Sequence, residues 1–244
     1  AWAFLPGWAQ ARRGSHVVIT TIMFNYLAAT LMVWLLVDVL GKPGAMSPET
    51  RMFAEATRLP SLRDLVLPLG LDLGRSPLNP MIVVAGLAVV FVWVLVWRTR
   101  FGFELRTVGK SPAAAVYAGI DPGHVVIVAM LISGALAGLL AVNEVMGSQH
   151  RLLLDFAGGA GFVGIAVALM GRSHPVGVVF AALLFGVLTQ GGAELAFEKP
   201  KISRDMIVVI QALVILFAGA LEHMARPLLA RLFAPAAGPV GGRA

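Results

Sequence analysis

Long apolar runs alternate with short polar breaks along this chain, and the lengths of the runs set the first expectation. A helix rises about 1.5 Å per residue, so about 20 mostly apolar residues are needed to cross hydrocarbon roughly 30 Å thick. Five stretches come close to or exceed that length: Val18 to Val39, Pro80 to Trp97, Val125 to Met146, Val176 to Phe197 and Met206 to Leu221. A sixth, Phe156 to Gly171, is shorter and rich in glycine. It is expected to be broken or re-entrant, and therefore to lie against protein or a watery cavity, because lipid offers no partner to freed backbone groups. The pattern predicts an all-α, polytopic membrane bundle with about six spans.

Composition agrees with the pattern. Of 244 residues, 58% are hydrophobic and only 13% charged, which is too apolar and too poor in charge for a water-exposed domain of this size. The absence of cysteine excludes disulfides, thiolate metal sites and cysteine nucleophiles. A net charge of +6 could suggest nucleic acid, but Lys and Arg are scattered beside apolar runs rather than gathered in a basic domain, so no nucleic-acid partner is expected. The chain opens on Ala1 with no basic-then-apolar leader, and is read as N-terminally incomplete.

The polar breaks orient the spans. Arg98, Arg100, Arg106 and Lys110 crowd one short loop, which the positive-inside rule assigns to the cytoplasm. By alternation Arg12, Arg13 and Arg172 lie inside, and residues 41–79 form an extracytoplasmic cap. Residues 1–225 are then a transmembrane domain, 98–123 a cytoplasmic loop, and 226–244 a cytoplasmic tail that ends in Pro, Gly and Ala. Within the loop, Ser111 followed by Pro112 is a helix start, and Gly119 is a stop. The helix between is about two turns long, too short to stand without packing against something. Flanked by basic residues and carrying Tyr117, it suits insertion into a partner's cleft.

Enzymatic readings fail on context. Ser173 and His174 are adjacent, so their side chains diverge and no acid is placed to orient the imidazole. The five histidines form no HExxH pair, and neither a metal nor another cofactor is expected. Gly159, Gly161 and Gly164 spell G-x-G-x-x-G, but no strand precedes them and no acidic residue follows at the ribose-binding distance. Close helix packing is the better reading, as it is for Gly134 and Gly138, a GxxxG pair inside a span. Polar residues within spans must face protein or water. Asn25, Asn143, Glu144, Gln190 and Gln211 are therefore candidates for a polar path, with the alternatives that the acid reaches the headgroup region and that the amides tie helices together.

Residues 106–120, RTVGKSPAAAVYAGI, resemble the R-x-x-G-x-[NS]-P-x-A-A-x-x-x-G-I loop of bacterial ABC importer permeases that carry ribose, branched-chain amino acids and nucleosides. LPGWAQARRGSHVVITTIMFNYLA at 5–28 and GFVGIAVALMGRSHPVGVVFAALLFGVL at 161–188 are similar to the nucleoside and simple-sugar members, although Val17 and Val163 stand where those members often carry acids. The resemblance implies a type II importer-like bundle in the bacterial cytoplasmic membrane, with additional spans upstream. It also implies a cytoplasmic ATPase partner, a second permease subunit forming a heterodimer, and an extracytoplasmic substrate-binding protein. Carried over by position, Gly109, Ser111, Pro112, Ala114, Ala115, Gly119 and Ile120 would form the coupling helix and its ends, with Ala115 in the docking surface, and Arg106 and the aromatic Tyr117 are expected to take part in the same ATPase coupling. The substrate would be a nucleoside or simple sugar, with branched-chain amino acids as the alternative. An ion-coupled carrier or channel is the rival class, and it would need intramembrane acids where this chain has mainly amides.

Overall fold

The computed structural model describes residues 1–41, 48–62, 78–198, 206, 208–214 and 216–217. The proposed tail at 226–244, parts of the outer cap and most of the flanks of the Met206 to Leu221 span lie outside these residues. Among the described residues the chain is helical, with two isolated antiparallel bridges and no strand. Four helices are long and apolar enough to cross a membrane: Val17–Val39, Met81–Arg98, Pro122–Ser148 and Pro175–Glu198. Each matches an apolar run within three residues at either end. Residues 208–214 are also helical, inside the run that begins at Met206.

The first compact unit covers Ala1–Gly158. It opens with α1 (Phe4–Arg13), which ends at a left-handed Gly14 whose N–H donates to the Gln10 carbonyl. The spanning helix α2 (Val17–Trp34) continues into a wider π-helical turn, Leu35–Val39. Helix α3 (Met81–Arg98) returns, and α4 (Arg100–Lys110) and α5 (Pro112–Tyr117) lead into α6 (Pro122–Val142), which also ends in a π-helical turn, Asn143–Ser148.

Helix α1 packs against α6, and small residues make that possible. A Cβ on Gly7 would lie 3.1 Å from the Met130 Cβ, one on Gly123 3.6 Å from the Ala11 Cβ, and one on Gly134 only 2.6 Å from the Ala3 Cβ. Ala3, Gly7 and Ala11, four residues apart, thus form a small-residue stripe running antiparallel to α6, which lets two backbones gain dispersion contacts that lipid tails do not favour. Gly138, the other half of the GxxxG pair, meets nothing within 4 Å among the described residues. The Ala11–Gly123 contact also brings Arg12 and Arg13 to the end of the unit that carries α4 and α5.

The opposite end holds the cap. Gly41 pairs with Thr50 and Glu49 with Leu153. Arg151 donates to the Glu49 carboxylate at 2.8 Å, and the Leu59 N–H reaches the Met146 carbonyl at 3.0 Å. These contacts fasten residues 48–62 to the C-terminal end of α6 and the residues that follow it.

The turn from α3 into α4 depends on one glycine. Thr99 caps α4 by accepting from the Gly102 N–H at 3.0 Å, and a Cβ on Gly102 would collide with the carbonyl oxygens of Leu95 and Val96. Backbone oxygens in a helix cannot swing away as a flexible side chain can. Gly102→Ala is expected to cost about 1–3 kcal/mol, the range for overpacking a tight site, and to lower the thermal unfolding midpoint of the detergent-solubilised protein. Gly109→Ala on the same helix is the control: nothing lies within 4 Å, so its expected change is zero or a gain of up to about 1 kcal/mol from the better helix former.

The second compact unit begins at Gly159. Helix α7 (Ala160–Met170) follows two left-handed glycines, Gly158 and Gly159. Of the short apolar run expected to be broken or re-entrant, residues 156–159 are turn and Ala160–Met170 is an unbroken helix of 11 residues, about 16 Å long and able to cross only about half the hydrocarbon. It forms a hairpin with α8 (Pro175–Glu198) around a core of Ala166, Val167, Ala181 and Phe185. Gly171 and Gly177 lie backbone to backbone at the bend, where no Cβ would fit.

Candidate functional site

The basic loop is two helices joined by one extended residue. Ser111, at φ −156° and ψ 103°, ends α4 and caps α5, its hydroxyl accepting from the Ala114 N–H at 3.3 Å. Pro112 fills the first helical position, where its missing N–H leaves no bond unmade. At the other end Gly119 adopts φ +76°. Its N–H donates to the Val116 carbonyl at 3.0 Å and the Ile120 N–H to the Ala115 carbonyl at 2.9 Å, the paired bonds of a Schellman motif, which favours glycine at the left-handed position. Both ends of a six-residue helix are therefore closed, and its geometry is fixed without further turns. Asp121 then caps α6 by accepting from the Gly123 N–H at 2.9 Å.

Burial divides α5 into a seat and a face. Ala115 is fully buried, while Tyr117 is 94% and Val116 61% exposed. This corrects the expectation that Ala115 belongs to the docking surface: it seats α5 on the neighbouring helices, and Pro112, Ala114, Val116 and Tyr117 form the outward face. Helix α4 extends that face with Phe103, Arg106, Gly109 and Lys110, all exposed. The surface is apolar and aromatic at its centre and basic at its margin, a composition suited to a protein partner. Phe103 was not singled out from the sequence because α4 read as loop; the threonine before a Gly-containing amphipathic run was the available signal.

Of the polar residues of the spans, Asn25, Asn143 and Glu144 belong to the first unit and Gln190 and Gln211 to the second. Asn143 begins the π-helical turn of α6 and accepts from Asn79 Nδ2 at 2.8 Å, and Asn143 and Glu144 line a cavity of about 590 Å³ between α3 and α6. Asn25 is exposed on α2. In the second unit Gln190, with Gly164, Gly186 and Thr189, lines a cavity of about 510 Å³ between α7 and α8. Gln211 Nε2 donates to Thr189 Oγ1 at 2.9 Å, so it ties its own segment to α8. A Cβ on Gly161 or Gly164 meets nothing within 4 Å among the described residues, so neither glycine is packed against a helix there. No cluster of three or more potential metal ligands occurs among the described residues.

The comparisons with known proteins address the same stretches. The pattern of the family described as "Branched-chain amino acid transport system / permease component" matches residues 1–219. The glucose ABC transporter permease protein TsgB13 of Haloferax volcanii is 36% identical over 92% of this chain and 59% of its own length. The guanosine ABC transporter permease protein NupP of Bacillus subtilis is 36% identical over 90% of this chain and 61% of its own. The nucleoside ABC transporter permease protein NupB of Lactococcus lactis is 34% identical over 88% and 58%. The chain thus spans about three fifths of the length of these relatives. No solved structure matches it.

Proposed function

The chain belongs to the family of permease components of branched-chain amino acid transport systems, and from that membership we propose that it is the membrane-spanning subunit of an ATP-driven importer for a nucleoside or simple sugar. One observation carries the mechanism: a helix capped at both ends, with an aromatic face left open beside basic side chains, at the same end of its unit as Arg12 and Arg13. The positive-inside rule puts that end in the cytoplasm, where a nucleotide-hydrolysing subunit would receive Tyr117 and Val116. Closure of the ATPase pair on ATP would push α5, and the push would pass into α3 and α6. The chain itself supplies no hydrolytic chemistry; it converts a neighbour's conformational change into a change of access.

The relatives' names support the cargo class, since they specify glucose, guanosine and nucleosides. A second permease is supported by the likeness of this chain to two permease proteins from each of two organisms, NupP and NupQ of Bacillus subtilis and NupB and NupC of Lactococcus lactis. The outer cap would face an extracytoplasmic binding protein. Asn25 in the first unit and Gln190 in the second would each, separately, contact a neutral polyhydroxylated cargo, since an amide both donates and accepts.

The test is uptake by the full-length permease reconstituted with its ATPase, second permease and binding protein. Accumulation of labelled guanosine or glucose that requires ATP hydrolysis is the expected result. Uptake that persists with a hydrolysis-dead ATPase, or accumulation of leucine alone, would overturn the mechanism and the cargo class respectively. Asn25→Ala and Gln190→Ala should each lower uptake by about 2- to 10-fold, the equivalent of one lost hydrogen bond, with membrane levels unchanged on immunoblot.

A further inference from the structure

The cavity beside Asn143 and Glu144 does not end where its polar residues end. A second cavity of about 380 Å³ continues from it along α3 and α6, sharing Val84, Ala88, Leu136 and Leu139 and adding Leu87, Phe91, Ile132 and Ala135. The result is one groove with two chemistries. Its upper end carries Asn79, Asn143, Glu144 and Ser148, and everything beneath is hydrocarbon.

The depth of the chemical boundary identifies what would fit. Helix α3 begins at Met81, and Glu144 lies 22 residues beyond the start of α6 at Pro122, a rise of about 33 Å. The polar end therefore sits at the outer edge of a layer roughly 30 Å thick. From Met81 to Phe91 the apolar part runs about 15 Å along the helix axis, the depth of one leaflet. A nucleoside or sugar gains little from an apolar groove of that length, whereas an acyl chain fills it.

The free polar groups complete the match. Asn79 is occupied, donating to Asn143 Oδ1 at 2.8 Å and accepting from the Met81 N–H at 3.1 Å. The Asn143 side-chain NH₂, the Glu144 carboxylate and the Ser148 hydroxyl have no hydrogen-bond or ion-pair partner among the described residues. Two donors beside an unpaired acid suit a phosphate joined to an ammonium. We propose that the α3–α6 groove binds one outer-leaflet phospholipid with a primary ammonium headgroup, its phosphate on Asn143 and Ser148, its ammonium on Glu144 and one acyl chain between α3 and α6. Glu144 is then a headgroup-selecting residue and not part of the cargo path.

Native mass spectrometry of the full-length permease in its importer complex, released from nanodiscs holding equal amounts of phosphatidylethanolamine and phosphatidylcholine, tests the assignment. Ethanolamine lipid should be retained over choline lipid by about 2- to 5-fold, the selectivity of a partly exposed ion pair. Glu144→Gln should bring the ratio to about one without reducing total lipid, and Leu139→Trp, which fills the apolar channel, should reduce both lipids. A lipid series with one, two and three N-methyl groups makes the same test on the unaltered protein, and retention should fall with each lost N–H. Equal retention by the wild type, a preference unchanged in Glu144→Gln, displacement of the lipid by guanosine or glucose, or a cross-link from Ala88 to a helix of the second permease would each overturn the proposal.

Discussion

Replacing Ala115 by Asp is expected to remove folded permease from the membrane, whereas replacing Tyr117 by Asp, two residues away, is expected to leave the permease in place and stop transport. Ala115 has no exposed surface, and α5 is a six-residue helix held by packing against α4 and α6. A carboxylate there would be an uncompensated buried charge, worth about 3–5 kcal/mol when it has no partner, a large fraction of the 5–15 kcal/mol that holds a typical domain together. Tyr117 is 94% exposed, so an acid at that position meets water in the isolated chain and a partner's surface only in the complex. The measurement is paired: membrane abundance and monodispersity by fluorescence-detected chromatography, and ATPase co-purification with ATP-driven uptake. Loss of abundance for Ala115→Asp and loss of co-purification alone for Tyr117→Asp are expected. Full ATPase association by Tyr117→Asp would remove α5 from the docking surface.

Gly134→Leu should have the next largest effect. A Cβ at that position already falls 2.6 Å from the Ala3 Cβ, and a leucine adds three more carbons, so α1 would have to leave α6 rather than adjust. The Trp2 contacts on α2, an indole hydrogen bond to the Phe24 carbonyl at 3.2 Å and an edge-to-face stack on the Phe24 ring at 5.9 Å, would be strained with it. The expected cost is at the upper end of the 1–3 kcal/mol typical of overpacking, or above it. Gly138→Leu, four residues along the same helix with nothing within 4 Å of its Cβ among the described residues, should be tolerated in the isolated permease. Thermal unfolding of the two variants side by side distinguishes a helix–helix seam at Gly134 from a generic intolerance of bulk in α6.

These contrasts mark what the sequence could and could not reveal. Apolar length alone located the four long helices, because lipid imposes one ruler on every span. Ser111, Pro112 and Gly119 located α5 for an equally local reason: caps are written in the residues that make them. What stayed hidden is what apolar length does not register. Helix α4 is too polar to stand out as a span, and it is held by packing against α3, α5 and α6, with Gly102 at its close approach to the end of α3. Helix α1 has 10 residues, and its small-residue stripe has meaning only beside α6. The candidate path fared likewise: residue type marked Asn143, Gln190 and Gln211 alike, but only geometry separates an amide that ties two segments from one that lines a cavity.

Between α3 and α5 the chain leaves the helical state at two residues only, Thr99 and Ser111, each a single extended link. A hinge made of one residue has little length to stretch or coil up. In the proposed coupling, a force arriving at α5 would be handed on through α4 with little lost motion, in the manner of a crank with tight bearings. Inserting two glycines after Lys110 would slacken that bearing while leaving every surface residue in place. The stroke of the neighbour and the response of the spans would then come apart.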